Sequence, residues 1–119
     1  MIGKSIILLL GTLVSFGTAY AASPQEYIDK GKELYMSYGC AVCHGKDGDG
    51  KGISSGKFYP PPTNFHDPKK YQQGTDIESM RNAIKNGIKD ENSMMPAFDH
   101  FSKQELDQLT AFLQSLQKQ

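Results

Sequence analysis

Cys40-Ala41-Val42-Cys43-His44 is the stretch that decides how this chain folds, because it puts two thiols and an imidazole within one short segment. The 119-residue chain contains 2 cysteines, both of them here. A disulfide across so short a loop would restrain little of the unfolded chain, since its stabilising effect grows with the length of the loop that it closes. We therefore expect the two thiols to serve a local chemical site.

Three kinds of site could use these residues. A thioredoxin-like dithiol is expected beside a strand–helix–strand unit, and the sequence has no strand-like alternation. A structural zinc site needs four ligands, and the adjacent Cys43 and His44 cannot easily both point at one tetrahedral metal. The third reading is covalent attachment of a c-type haem, for which C-x-x-C-H is the motif. The thiols of Cys40 and Cys43 can then reach two vinyl groups on one porphyrin edge, with His44 under the iron. We expect one haem c.

A second axial ligand would decide between electron transfer and gas binding at this iron. The candidates are four methionines and two histidines: Met36, Met80, Met94, Met95, His66 and His100. Met36 and Met80 fall in helical patterns, where methionine commonly fills the core. Met95 directly precedes Pro96, which restricts the residue before it and stiffens the loop. We select Met95 as the iron ligand with His44, and Met94 is its nearest alternative.

Three segments carry the pattern of a helix N-terminus, a hydroxyl residue with Glu three positions later. They are Ser23-Pro24-Gln25-Glu26, Thr75-Asp76-Ile77-Glu78 and Ser102-Lys103-Gln104-Glu105. Apolar residues follow each one at helical spacing. These faces are Tyr27, Gly31, Leu34, Tyr35 and Tyr38; Ile77, Met80, Ile84 and Ile88; and Leu106, Leu109, Phe112, Leu113 and Leu116. The pattern predicts an all-α fold with three main helices.

Two irregular regions separate these helices. The first combines a glycine- and Asp-rich run over 45–56 with Pro60-Pro61-Pro62, which cannot be helical. A loop of this length in a small domain usually has a functional reason, and a haem to wrap around would be one. Asp47-Gly48-Asp49-Gly50 is similar to a calcium loop but lacks the later ligands and closing Glu, so we expect a solvated turn. The second region, 89–98, contains Met94-Met95-Pro96.

The first 21 residues have the pattern of a signal peptide. Lys4 supplies the positive end, 6–16 is almost wholly apolar, and Ala19-Tyr20-Ala21 has small residues where a signal peptidase reads. We expect cleavage after Ala21, a mature domain over 22–119 and export to a bacterial periplasm. The alternative is an uncleaved membrane anchor. The 13 basic and 13 acidic residues balance, and without a basic stripe we expect no nucleic-acid partner.

Several stretches together resemble the small monohaem class I c-type cytochromes, over nearly the whole of 22–119. The haem motif and Met95-Pro96-Ala97-Phe98 are the most specific. The others are Gly31-Lys32-Glu33-Leu34-Tyr35, the Asp-Gly-Asp-Gly run at 47–50, Pro60-Pro61-Pro62-Thr63-Asn64-Phe65, Ile84-Lys85-Asn86-Gly87-Ile88 and 109–116. The resemblance implies the class I cytochrome c fold, with long loops around one haem and crossing first and last helices. Gly31 would permit that approach, with Tyr35 near Leu109 and Phe112.

The resemblance also implies how the site works. A backbone carbonyl in the Pro61-Pro62 region would accept the proton-bearing nitrogen of His44, which makes Pro61 and Pro62 part of the haem site. The expected function is single-electron transfer between periplasmic or membrane redox partners, a membrane-bound oxidase or reductase among them, by a monomer without catalytic residues. The alternatives are a haem-based catalyst or gas sensor and a fixed electron-entry subunit of a larger oxidoreductase.

Overall fold

The computed structural model describes residues 2–18, 21–71, 73–90 and 94–117. In these ranges the elements are α1 (Pro24–Ser37), α2 (Cys40–His44), α3 (Ile77–Asn86), β1 (Ile88–Lys89), β2 (Met94–Met95) and α4 (Lys103–Leu116), with 3-10 turns at Ser55–Lys57 and Pro68–Lys70. Residues 2–18 are exposed and form no regular secondary structure. None of the described helices has the length and apolar character needed to cross a membrane. Ala19 and Tyr20, at the expected cleavage site, lie outside the described residues.

The N-termini of α1 and α4 are closed by reciprocal hydrogen bonds, as the sequence predicted. The Ser23 hydroxyl accepts from the Glu26 amide at 3.1 Å, and the Glu26 carboxylate accepts from the Ser23 amide at 2.7 Å. Ser102 and Glu105 repeat the arrangement. The predicted cap at Thr75 is wrong, because α3 begins one residue later and Asp76 accepts from the Ser79 amide at 2.9 Å. Asp caps a helix as well as a hydroxyl residue does.

The core lies where α1 packs against α4. A side chain at Gly31 would overlap the backbone carbonyl of Gln108, so only glycine allows the two helices to approach this closely. The rings of Tyr35 and Phe112 meet edge to face with centroids 5.3 Å apart. Tyr35 and Leu109 are each only 1% exposed. The predicted all-α fold, with its first and last helices in contact through Gly31, is confirmed.

α3 is fastened to the side of α4 by an ion pair. The Arg81 guanidinium donates to the Asp107 carboxylate at 2.6 Å, and Lys103 donates to the other carboxylate oxygen at 2.8 Å. Lys103 first, and then Arg81, hold the pKa of Asp107 below its usual value. Met80 and Ile84 lie on the buried face of α3. The ion pair therefore fixes the helix whose end leads to Met94 and Met95.

Two glycines with positive φ set the bounds of the helices near the site. The haem motif forms the separate helix α2, because Gly39 adopts a φ of 77° and changes the direction of the chain after α1. Ile88 was assigned to the second helix, but Gly87, with a φ of 71°, ends α3 before it. Ile88 instead pairs with Met95, and Lys89 with Met94, in a short antiparallel ladder. Strands of two residues are too short to show alternation.

Candidate functional site

One cavity of about 360 Å³ brings together residues of the C-x-x-C-H motif, the proline-rich loop, the Met94–Met95 segment and the three main helices. This volume lies in the range of about 300–1,000 Å³ that is typical of cofactor sites. Its lining is largely apolar and includes both thiols and the imidazole of the motif: Cys40, Cys43, His44, Pro60, Pro61, Pro62, Thr63, Met80, Ile84, Met94, Met95, Leu109 and Leu113. The six residues predicted for the haem site, Cys40, Cys43, His44, Met95, Pro61 and Pro62, thus line the same space.

The loop after α2 folds back and holds the carbonyls of the motif. The Gly50 amide donates to the His44 carbonyl at 2.7 Å, and the Gly52 amide donates to the Cys43 carbonyl at 3.0 Å. The buried Tyr35 hydroxyl donates to the Gly45 carbonyl at 2.6 Å. The short helix is therefore fixed both by its own loop and by α1. Sequence reasoning assigned Tyr35 to helix packing alone, although a buried phenol usually finds a hydrogen-bond partner.

His44 is held with one defined nitrogen facing the protein. Its Nδ1 lies 3.0 Å from the Thr63 carbonyl oxygen. A carbonyl only accepts, so Nδ1 carries the proton and Nε2 of a neutral ring keeps its lone pair. Burial lowers the pKa of His44, and the Thr63 carbonyl opposes this shift in part. The lowered pKa favours the neutral form of the ring, which stacks on Phe65 at a centroid distance of 4.5 Å. The side chain is thus prepared to ligate a metal through Nε2.

The acceptor for His44 differs from the one that the resemblance implied. An acceptor was expected in the Pro61-Pro62 region, whereas Thr63, the next residue, supplies the carbonyl. Pro61 and Pro62 line the cavity instead. Because the contact uses a backbone oxygen, which every residue has, the side chain of Thr63 could not indicate this hydrogen bond in the sequence.

The two thiols are half-buried and are not joined by a disulfide. Burial raises the pKa of Cys40 to about 11. A redox-active dithiol depends on a lowered thiol pKa, which favours the reactive thiolate. The environment of Cys40 therefore disfavours the thiolate on which dithiol redox chemistry depends.

Met94 and Met95 both line the cavity but differ in exposure. Met95 is half-buried and packs against the core, whereas Met94 is 66% exposed. A Cβ at Gly87 would lie 2.6 Å from the Met95 carbonyl oxygen, so glycine is needed for the segment to pass this close. The Phe98 amide donates to the Ile84 carbonyl at 2.9 Å, which ties the far end of the segment to α3.

The other ligand candidates lie in different surroundings. Met80 is buried and lines the cavity, while Met36 is 45% exposed on α1. The two ring nitrogens of His66 lie 2.7 and 3.1 Å from backbone carbonyls of Asp47 and Leu116. His100 is exposed and its ring contacts Tyr38 and Phe101. Neither histidine is among the residues that line the cavity, although His100 contacts two residues that are.

The residues present fit a covalently attached haem: paired thiols on one helix, a half-buried imidazole whose Nδ1 donates to a backbone carbonyl, and an apolar cavity. They define a protein of the c-type haem class. A family model for cytochrome c matches residues 28–117, and the chain belongs to this family. Membership implies covalent haem c with its iron, and haem-based electron transfer.

Two curated relatives and one solved structure show where related chains occur. The chain is 33% identical over 93 residues to the cbb3-type cytochrome c oxidase subunit CcoP of Helicobacter pylori (strain 52), covering 76% of this chain and 28% of the relative. It is 45% identical over 49 residues to a thiosulfate dehydrogenase of Stutzerimonas stutzeri (strain A1501), covering 38% of this chain and 16% of the relative.

The solved structure is a chain of the reducing HAO-like protein complex of Kuenenia stuttgartiensis, with a TM-score of 0.57 and 26% sequence identity. The match covers 74% of this chain and 41% of that chain. The chain thus spans less than half the length of each of these proteins.

Proposed function

We propose that the chain carries one haem c, bound by Cys40 and Cys43 and ligated by His44 and Met95, and that it transfers single electrons between redox partners. The observation that carries the proposal is the state of His44, which is half-buried, has a lowered pKa and is bonded through Nδ1 to the Thr63 carbonyl. Haem c supplies the one-electron chemistry when bound. Met95, half-buried at the same cavity, is the thioether best suited to complete the ligation.

The residues around the cavity would tune the iron in two ways. The hydrogen bond from His44 to Thr63 orients the ring and increases its basicity as a ligand. The apolar walls, which include Leu109, Leu113 and Ile84, would limit the access of water to a bound haem. A thioether ligand with histidine gives a raised reduction potential and a closed coordination shell. Both effects suit a protein whose ligands stay in place during electron transfer.

The exposed part of the cavity rim supports approach by a partner protein. Val42 and Met94 line the cavity and are 46% and 66% exposed, and Pro61 beside them is also exposed. A partner must reach the haem edge and then leave, so the contact is expected to be small and weak, as in other electron-transfer encounters. We propose a monomer that exchanges electrons with redox proteins, a membrane-bound oxidase or reductase being one class.

A second candidate is an electron-entry domain of a larger oxidoreductase. It is favoured by the names of the relatives, a subunit of a cbb3-type oxidase and a thiosulfate dehydrogenase. The haem site would be the same in both cases, and the difference lies in whether the partner stays bound. A catalytic or gas-binding haem would instead need an open iron position.

A closed iron site predicts poor binding of carbon monoxide. The reduced holoprotein at neutral pH should bind carbon monoxide slowly and show little peroxidase turnover, because Met95 as a ligand would compete with carbon monoxide for the iron. Stopped-flow absorption measures the binding rate. The Met95→Ala variant is the matched positive control and should bind at least about tenfold faster, which corresponds to about 1.4 kcal/mol in the barrier. Rapid binding by the wild type, or substantial turnover, would favour the catalyst or sensor.

We infer that the chain is exported to a bacterial periplasm, with cleavage after Ala21. The apolar 6–16 run and the small residues before position 22 support this. Protein made in an exporting host should have a mature N-terminus at Ala22, as intact mass would reveal. Membrane-bound protein that keeps residues 1–21 would instead favour the anchor.

A further inference from the structure

His66 contacts two backbone carbonyls that are distant from each other in sequence. Its Nε2 lies 2.7 Å from the Asp47 carbonyl oxygen, and its Nδ1 lies 3.1 Å from the Leu116 carbonyl oxygen. Carbonyl oxygens accept and cannot donate, and a neutral imidazole has one N–H. Both contacts can be hydrogen bonds at the same time only when the ring is an imidazolium.

One carbonyl belongs to the loop that follows the haem motif, and the other belongs to the end of α4. Asp47 lies in the loop in which the Gly50 amide donates to the His44 carbonyl and the Gly48 carbonyl accepts from the Phe65 amide at 2.8 Å. Leu116 is the last residue of α4, where carbonyls have no partner further along the helix. A cation is favoured at such a helix end by the helix dipole. His66 therefore joins the loop behind His44 to the end of α4.

Several charged residues lie on the segments that meet at His66, and two of their carboxylates accept from backbone amides. Asp67, next in the chain, accepts from the Lys69 amide at 3.0 Å, and Asp49 accepts from the Lys51 amide at 2.9 Å. The Asp47 carboxylate belongs to the same loop, and Lys70 follows Lys69 in the 3-10 turn. The described part of the last turn of α4, 113–117, carries no charged side chain.

We propose that His66 is a positioning residue whose protonated ring clamps the loop behind His44 onto α4. Loss of these contacts would affect the position of His44 in two ways. The loop behind His44 could move, and so could Phe65, which precedes His66 and stacks on the His44 ring at 4.5 Å. A ring that has lost one proton leaves one nitrogen facing a carbonyl oxygen without a hydrogen between them. The clamp is therefore complete only in the imidazolium form, and deprotonation of the ring weakens it.

The test compares His66→Gln with His100→Gln in the holoprotein. The control makes the same change at an exposed loop histidine whose ring contacts aromatic side chains. Urea unfolding at pH 5.5 should show that His66→Gln lowers the folding equilibrium constant by about tenfold or more, the effect of losing a hydrogen bond from a charged group. The deficit should shrink by pH 8. An equal deficit at both pH values, or the same pH profile in His100→Gln, would overturn the clamp.

To show that His66 positions His44, the experiment needs a measured property that a purely structural role of His66 would leave unchanged. The reduction potential of the wild type should shift between pH 5.5 and 8, and this shift should be smaller in His66→Gln. His66→Arg keeps a permanent charge with several donors, so it should restore stability at pH 8 and flatten both profiles. It also provides the test if His66→Gln does not fold.

A potential whose pH profile is the same in wild type and His66→Gln would overturn the positioning role. The potential measurement rests on the proposed ligation by His44, whereas the unfolding measurement does not. Failure of the proposed function would alter the spectrum of the wild type itself, so the two failures can be told apart.

Discussion

Replacing Cys40 and Cys43 together with alanine should abolish stable holoprotein, because the core would lose both the covalent anchor and the large apolar group that fills the cavity. The cavity of about 360 Å³ would leave Leu109, Leu113 and Ile84 without partners on one side, and unfilled apolar space of this kind is strongly destabilising. Haem absorption per chain should fall to near zero in protein from an exporting host that makes c-type cytochromes. Circular dichroism should show loss of cooperative unfolding.

The wild type supplies the complementary measurement. Denaturation and acid extraction should leave the haem on the polypeptide, and the intact mass should exceed that of the polypeptide by one haem. A matched control is Met36→Ala, which removes an exposed side chain from α1 without touching the motif. Free haem in the extract would contradict covalent attachment, and a mass increase of two haems would contradict the single site.

Replacing Met95 with alanine should remove the sulfur-to-iron charge-transfer band of the oxidised protein and lower its reduction potential. The thioether stabilises the reduced iron, so its loss favours the oxidised state. The expected fall is on the order of 0.1 V, a fraction of the roughly 0.8 V over which axial ligands set haem potentials. Absorption spectroscopy and potentiometric titration of the same sample measure both effects.

Met94→Ala is the matched control, since it makes the same change one residue earlier in β2. Met94 is 66% exposed, and its loss should leave the band and the potential unchanged. If Met94→Ala lost the band and Met95→Ala kept it, the ligand would be Met94. If both variants kept the wild-type spectrum, His66 or His100 would become the candidate.

The parts of the fold that could be predicted from sequence depend on local chemistry. Ser23 and Glu26 are three residues apart, and the same spacing that marks a capping box in the sequence produces both hydrogen bonds in the structure. The close approach at Gly31 was expected from the resemblance to the class I c-type cytochromes, and the structure confirms it. The cap of α3 was missed because Thr75 and Asp76 are both good caps and adjacent, so residue type did not distinguish them.

The parts of the site that could not be predicted depend on backbone groups. Every residue has a carbonyl, so no residue type marked Thr63 as the partner of His44. The contacts of His66 are further examples, since it joins carbonyls 19 and 50 residues away. The pairing of Ile88 with Met95 could not be predicted either, because strands of two residues are too short to show an alternation of apolar and polar residues. Ligation by Met95 stays a prediction.

The contact between α1 and α4 has a consequence for how freely the chain can change in length. Gly31 meets Gln108, so the contact closes a loop that contains α2, α3 and both irregular regions. The entropic cost of closure rises only with the logarithm of loop length, so even doubling the enclosed chain would cost about 0.6 kcal/mol. Residues could therefore be inserted between the site-bearing segments at little thermodynamic cost, provided that the two helix faces still meet. The faces of α1 and α4 must stay complementary to each other, whereas the loops that these helices enclose can change in length during evolution.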